Sequence, residues 1–186
     1  MRALIHFPVI HDSHDLGSFS QAVAESQALQ LQQHQLAIEH FWSMVTSVID
    51  ALELNYAQLR LYQDGLPVCD KEAEIVSGVA ASGSRNYKLL QYLQQKGAHI
   101  MGTESPELLL QEYSLIKKSV QFGKEEETLL YQRDEYIAQR INNTLQEEEM
   151  GILFLGIMHS IEDKLDKDIV LIQPLGKPTN VVIKNT

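Results

Sequence analysis

Four places in the sequence carry residues that could do chemistry: His11-Asp12-Ser13-His14-Asp15, Gln63-Asp64, Glu104 and His159. Each follows a short run that reads as a β-strand. Imidazoles and carboxylates are the usual ligands of zinc, manganese and iron. An ion held this way lowers the pKa of a bound water and supplies a nucleophile for hydrolysis. Without metal, one histidine and one carboxylate form a general acid–base pair. On the metal reading the ligands are His11, Glu104 and His159, while Asp64 orients a ligand or activates the water.

Each residue also has a plainer role. Asp12 and Asp15 suit the cap of a following helix, and His14 a surface position. Asp64-Gly65 fits simple turn chemistry, and Glu104 fits the dipole of the helix that begins after it. His159 directly follows an all-apolar strand, where the case for function outweighs a structural hydrogen bond to backbone. Two arginines are candidates for binding a substrate anion. Arg85 follows Ser82-Gly83-Ser84 at a helix start, a setting that can cradle an anion but that reads more simply as an interhelix turn. Arg133 shares a helix face with Arg140, and surface pairing with neighbouring acids is its plainer role. Cys69 has no histidine beside it and reads as a small buried or idle thiol. No nucleophile-elbow, Walker or dinucleotide-binding glycine pattern occurs.

These groups matter only if the elements between them bring them together. Strands are expected at 3–10, 57–62, 98–102, 152–157 and 168–173, with a small apolar run at Val181-Val182-Ile183 as an edge strand. Helices are expected between them. The first runs from a Ser18 cap to about Leu54, with Ile38, Trp42, Val45, Ile49 and Leu52 as its buried stripe. At 1.5 Å per residue it is about 50 Å long, which suits a projecting arm or an oligomer. Others span 71–81 after an Asp70 cap, 85–96 up to Gly97, 106–122 and 125–149. Ser105-Pro106-Glu107 is a clear helix start, and Gly123 and Gly151 read as helix breaks. Leu130, Ile137, Ile141 and Leu145 make the apolar line of the last long helix. Strand and helix in alternation indicate an α/β domain with a mostly parallel sheet of four to five strands and long helical crossovers. In such sheets ligands bind beyond the carboxyl ends of the strands, so His11, Asp64, Glu104 and His159 are expected at one edge.

Composition sets the outer bounds. The chain has 186 residues, 44% of them apolar, which suits one globular domain. A formal charge of −10 argues against a nucleic-acid or anionic-membrane surface and suits a divalent cation or a cationic partner. A single cysteine permits no intramolecular disulfide and fits a reducing, cytoplasmic setting. The first residues lack the apolar core of a signal peptide, and no run approaches the roughly 18 apolar residues of a membrane span.

Arg133-Asp134 on a helix, followed by Gly151 to Ile157 and then Gly156-Ile157-Met158-His159, resembles the C-terminal motif of the TraB/pheromone-shutdown group, related to erythromycin-esterase-like and Tiki-type proteins. The likeness covers about a quarter of the chain. It implies a metal-dependent, hydrolase-like fold with His159 in the site and Arg133 nearby. That family has acidic residues, often paired glutamates, near the end of the first strand, whereas this chain has His11-Asp12 and His14-Asp15. The expectation is therefore a small hydrolase-like enzyme acting on a small molecule. The alternative is a non-catalytic protein that assembles, with itself or a partner, through its long helices.

Overall fold

The computed structural model describes residues 1–9, 28–117 and 124–176. Five strands form one sheet in the order β3-β2-β4-β1-β5. They are β1 (Arg2–Val9), β2 (Leu59–Gln63), β3 (His99–Met101), β4 (Met150–Gly156) and β5 (Ile169–Ile172). Every pairing is parallel. The α/β class and the parallel sheet expected from strand–helix alternation are thus both present. Five helices are described: α1 (Ala28–Asp50), α2 (Glu72–Ser82), α3 (Arg85–Gln95), α4 (Pro106–Lys117) and α5 (Lys124–Thr144).

β4 lies between β1 and β2 and is apolar on both faces, as a central parallel strand must be. Ile152 and Phe154 point to one face, into a core shared with α1, α2 and α3. Leu153 and Leu155 point to the other, against Ile137, Ala138 and Ile141 of α5. The expected stripe of α1 is buried at Ile38, Trp42, Val45 and Ile49, and Leu52 packs beside it. The segment 18–27, the loop with His11, Asp12, His14 and Asp15, Gly123 and the 181–183 run lie outside the described residues.

Three local expectations are corrected. Gly151 does not end α5; it sits inside β4, where an added Cβ would come within 2.6 Å of Leu4 Cδ1 and 3.2 Å of Tyr62 Cε2. Close strand packing, not a helix stop, requires glycine there. Asp70 does not cap α2: it adopts a left-handed φ of 60°, and Lys71 precedes the helix without a side-chain cap bond. Instead Glu72 Oε1 accepts the backbone N–H of Cys69 at 2.9 Å, and the Cys69 thiol is exposed rather than buried. By contrast, the Ser105-Pro106 start is as expected, with Ser105 Oγ accepting the N–H of Leu108 at 3.4 Å.

Candidate functional site

Because all five strands are parallel, their carboxyl ends share one edge, and three of the expected residues meet there. Asp64 follows β2 directly, Glu104 follows β3, and His159 follows β4 after a tight turn in which its N–H bonds to Gly156 O at 3.1 Å. The loops after β2 and β3 are knitted together. Thr103 and Glu104 donate their N–H groups to Leu66 O, and Val68 donates to Glu104 O. Gly102 permits this approach, since a Cβ there would lie 2.6 Å from Val68 Cα and 2.9 Å from Pro67 O.

The two acids are fixed by backbone donors and by Arg133. Asp64 Oδ2 accepts Gly156 N at 2.9 Å, and Glu104 Oε1 accepts Gly65 N at 2.9 Å. Arg133 comes from α5. Its Nε donates to Glu104 Oε2 at 2.7 Å, and its Nη2 donates to Glu104 Oε1 at 2.5 Å and Asp64 Oδ1 at 2.9 Å. Nη1 pairs with the half-buried Glu112 of α4. The surface pairing expected for Arg133 is therefore corrected: the residue is 5% exposed and stands at the centre of the cluster. Arg140, two turns further along α5, donates to Gly102 O at 2.9 Å.

His159 is held by Asp134, the residue after Arg133. Its Nδ1 lies 2.6 Å from Asp134 Oδ1, and Asp134 Oδ2 accepts the N–H of Ser160 at 3.0 Å. A carboxylate only accepts, so Nδ1 carries the proton and Nε2 is the reactive nitrogen of the neutral ring. That Nε2 lies 3.7 Å from Asp64 Oδ1. Asp134 was not among the expected site residues. The signal for it lay in α5, where Leu129, Arg133, Ile137 and Ile141 are buried at every fourth position and Asp134 stands four before the buried Ala138. A charged pair at the fourth-residue step of an apolar stripe faces the core, not water.

Electrostatics follow from this burial. Glu104, Asp64, Arg133, Asp134 and His159 are all buried, with Glu104 fully so. Three carboxyl groups thus face one guanidinium and one imidazole. With the acids ionised and His159 neutral, these five described residues carry a net charge of −2. Burial pushes the Glu104 carboxyl above its usual range, and the Arg133 bonds offset this only in part. Burial alone would pull His159 down, but the Asp134 hydrogen bond and the charge of Asp64 outweigh it and raise the imidazole above its ordinary value. Both groups therefore hold protons more readily than in water, Glu104 because it is buried and His159 because of the carboxylates beside it.

A divalent ion would offset that net charge. One ligand atom from each of Asp64, Glu104 and His159 lies within 4.8 Å of the others. Two carboxylate oxygens and an imidazole nitrogen suit zinc, manganese or iron. Asp134 behind Nδ1 is the outer carboxylate that metal-bound imidazoles commonly have. Arg133 already bonds to both carboxylates, so a metal would share them with its guanidinium. Of the other expected residues, His11 lies outside the described residues. Arg85 is elsewhere: it is exposed and bonds to Glu39 of α1 at 2.5 Å, on the opposite face of the sheet from α5. No helix of the described residues is long and apolar enough to cross a membrane. No family model, curated protein or solved structure matches this chain.

Proposed function

We propose that this chain is a small cytoplasmic metal-dependent hydrolase acting on a small-molecule substrate at the carboxyl edge of its sheet. The observation that supports it most is the meeting of Asp64, Glu104 and His159 from three strand ends, with His159 Nε2 turned inward by Asp134. The ion, when bound, supplies an activated water and polarises the bond to be cleaved. The chain's own residues do the rest. Asp134 fixes the tautomer of His159 and its ring orientation. Arg133 keeps the two carboxylates from repelling each other apart and would place positive charge beside a substrate bound there. The resemblance of Arg133 and Gly156-Ile157-Met158-His159 to the TraB/pheromone-shutdown motif points the same way.

The test is elemental mass spectrometry on protein purified without an affinity tag, followed by ester and phosphoester hydrolysis assays with zinc, manganese or iron restored. Near-stoichiometric metal that falls in Asp64→Asn and His159→Ala, with turnover that follows the metal, supports the proposal. Absence of metal after reconstitution with each of the three ions sinks it.

A second reading is assembly through the helices. Leu110 and Ile116 of α4 are 66% and 54% exposed, leaving apolar surface outside the core. Light scattering on the protein beside Leu110→Glu decides it: self-association that the charge abolishes supports this reading, and a monomer at all concentrations removes it.

A further inference from the structure

The face of the sheet opposite α5 holds a different set of polar groups. Trp42 Nε1, Gln63 Oε1 and both amide atoms of Asn86 are buried and make no hydrogen bond among the described residues. Trp42 is 3% exposed, and Gln63 and Asn86 are each 1% exposed. Buried polar groups in folded proteins are nearly always satisfied, so unmatched atoms in one region need a cause.

They lie on one face of the sheet, toward its carboxyl edge. Phe154 of β4 is the register partner of Gln63 at the end of β2, so their side chains share a face. The Trp42 ring packs on Phe154, with centroids 5.9 Å apart. Asn86 is in the first turn of α3. This helix leads through Gly97 into β3, so its first turn lies toward the carboxyl edge of the sheet. Arg85 beside it bonds to Glu39, one helical turn before Trp42 on α1. Leu90 and Leu93, one and two turns after Asn86, are fully buried in the same core as Trp42 and Phe154. Gln63 uses its own amide nitrogen on Asp64 O at 3.1 Å, and its oxygen is the buried atom left over.

The group is neutral and offers both signs of hydrogen bond. The indole and the Asn86 nitrogen donate; the Gln63 and Asn86 oxygens accept. Apolar walls with a few convergent polar atoms are the usual make-up of a small-molecule site. A charged ligand would find no counter-ion among these groups, whereas a flat amide fits: its N–H and C=O lie side by side and match donor with acceptor. We infer that Trp42, Gln63 and Asn86 form a second binding site, for a small neutral molecule with an amide-type edge, such as a carboxamide, a urea or a nucleobase. The site lies across the sheet from His159 and stands independently of the proposed hydrolase activity.

Trp42 is the only tryptophan, so a proton–nitrogen correlation spectrum contains one indole cross-peak, and that peak reports on the site directly. Acetamide, nicotinamide and uracil are titrated into the full chain to about 20 mM, a range suited to ligands this small. Acetate serves as the charged counterpart of acetamide. The expected result is a saturable downfield shift of the indole peak with at least one neutral probe and none with acetate. Asn86→Leu and Gln63→Met, which remove the polar partners at nearly constant volume, are expected to weaken that binding about tenfold or more. Each variant's fold is checked by the rest of its spectrum, and Gln63→Met carries the test if Asn86→Leu does not fold. An indole peak unmoved by all three neutral probes overturns the inference and leaves buried water as the partner of these atoms. So does an acetate shift as large as that of acetamide, or binding unchanged in a folded variant.

Discussion

Replacing Arg133 with methionine gives the sharpest physical test of the charge balance. The change keeps an apolar stem of similar length and removes the guanidinium that bonds to both Asp64 and Glu104. Two buried carboxylates then face each other, held among the described residues by the backbone N–H groups of Gly156 and Gly65. Removing one partner of a buried ion pair typically costs about 3–5 kcal/mol. The half-exposed Glu112 adds about 1 kcal/mol at most. With a urea m-value of about 2–3 kcal/mol/M for a chain of this size, the midpoint falls by roughly 1–3 M at neutral pH. The pH dependence carries a sign. Glu104 has a folded pKa above its unfolded value, so its contribution is fully present below the unfolded pKa and is lost as pH rises through the folded one. Without Arg133 its pKa rises further, so acid relieves the variant more than the wild type. The stability gap is therefore largest near neutrality and narrows toward the acid side of the carboxylate range. Zinc or manganese also narrows it, by supplying the missing charge. Urea denaturation followed by circular dichroism over this pH range, with and without metal, measures both effects. A gap below about 1 kcal/mol at neutral pH, or one that widens on acidification, refutes the reasoning, because a buried unpaired carboxylate cannot behave so.

His159 gives the next prediction. Its folded pKa is raised, so its stabilising contribution is present below its unfolded value and fades as pH rises through the folded one. Thermal melts of His159→Gln should trail the wild type more at pH 6 than at pH 8, and metal affinity should rise over the same interval as the imidazolium loses its proton. Gly102→Ala should destabilise the protein by about 1–3 kcal/mol, because the new Cβ must displace Val68 or Pro67; it should also lower metal retention, since Glu104 lies in the same loop. Arg85→Ala should change stability by no more than about 0.5 kcal/mol and leave metal content unchanged, as expected for an exposed pair with Glu39. Denaturation and elemental analysis on these variants check both.

The sheet and most of the crossovers were legible because their signals are local. The all-apolar run at β4, the Ser105-Pro106 helix start and the α1 stripe each depend on residues close in sequence. The meeting of Asp64, Glu104 and His159 followed from one topological rule, that parallel strands end at one edge. What sequence did not give was the partner of each group. Asp134 and His159 are 25 residues apart, and only the packing of α5 across β4 brings them into contact. Arg133 looked like one charge among many on a polar helix, although its step of four from Leu129 and Ile137 placed it in the buried line. Gly151 was misread because a glycine after a helix commonly marks its end; the reason for it here is the Leu4 side chain on the neighbouring strand, a contact made only in the folded sheet. Asp70 failed as a cap for a similar reason. Its backbone is left-handed, and Glu72, which lies close to Gly102, reaches back to the N–H of Cys69 in its place.

X-ray absorption at the zinc edge, on untagged protein loaded with one equivalent of zinc, tests the central claim most directly. The account predicts a first shell of oxygen with one imidazole nitrogen, with no sulfur, and the imidazole signal lost in His159→Ala. A sulfur ligand from Cys69, or an imidazole signal that survives in that variant, would contradict it.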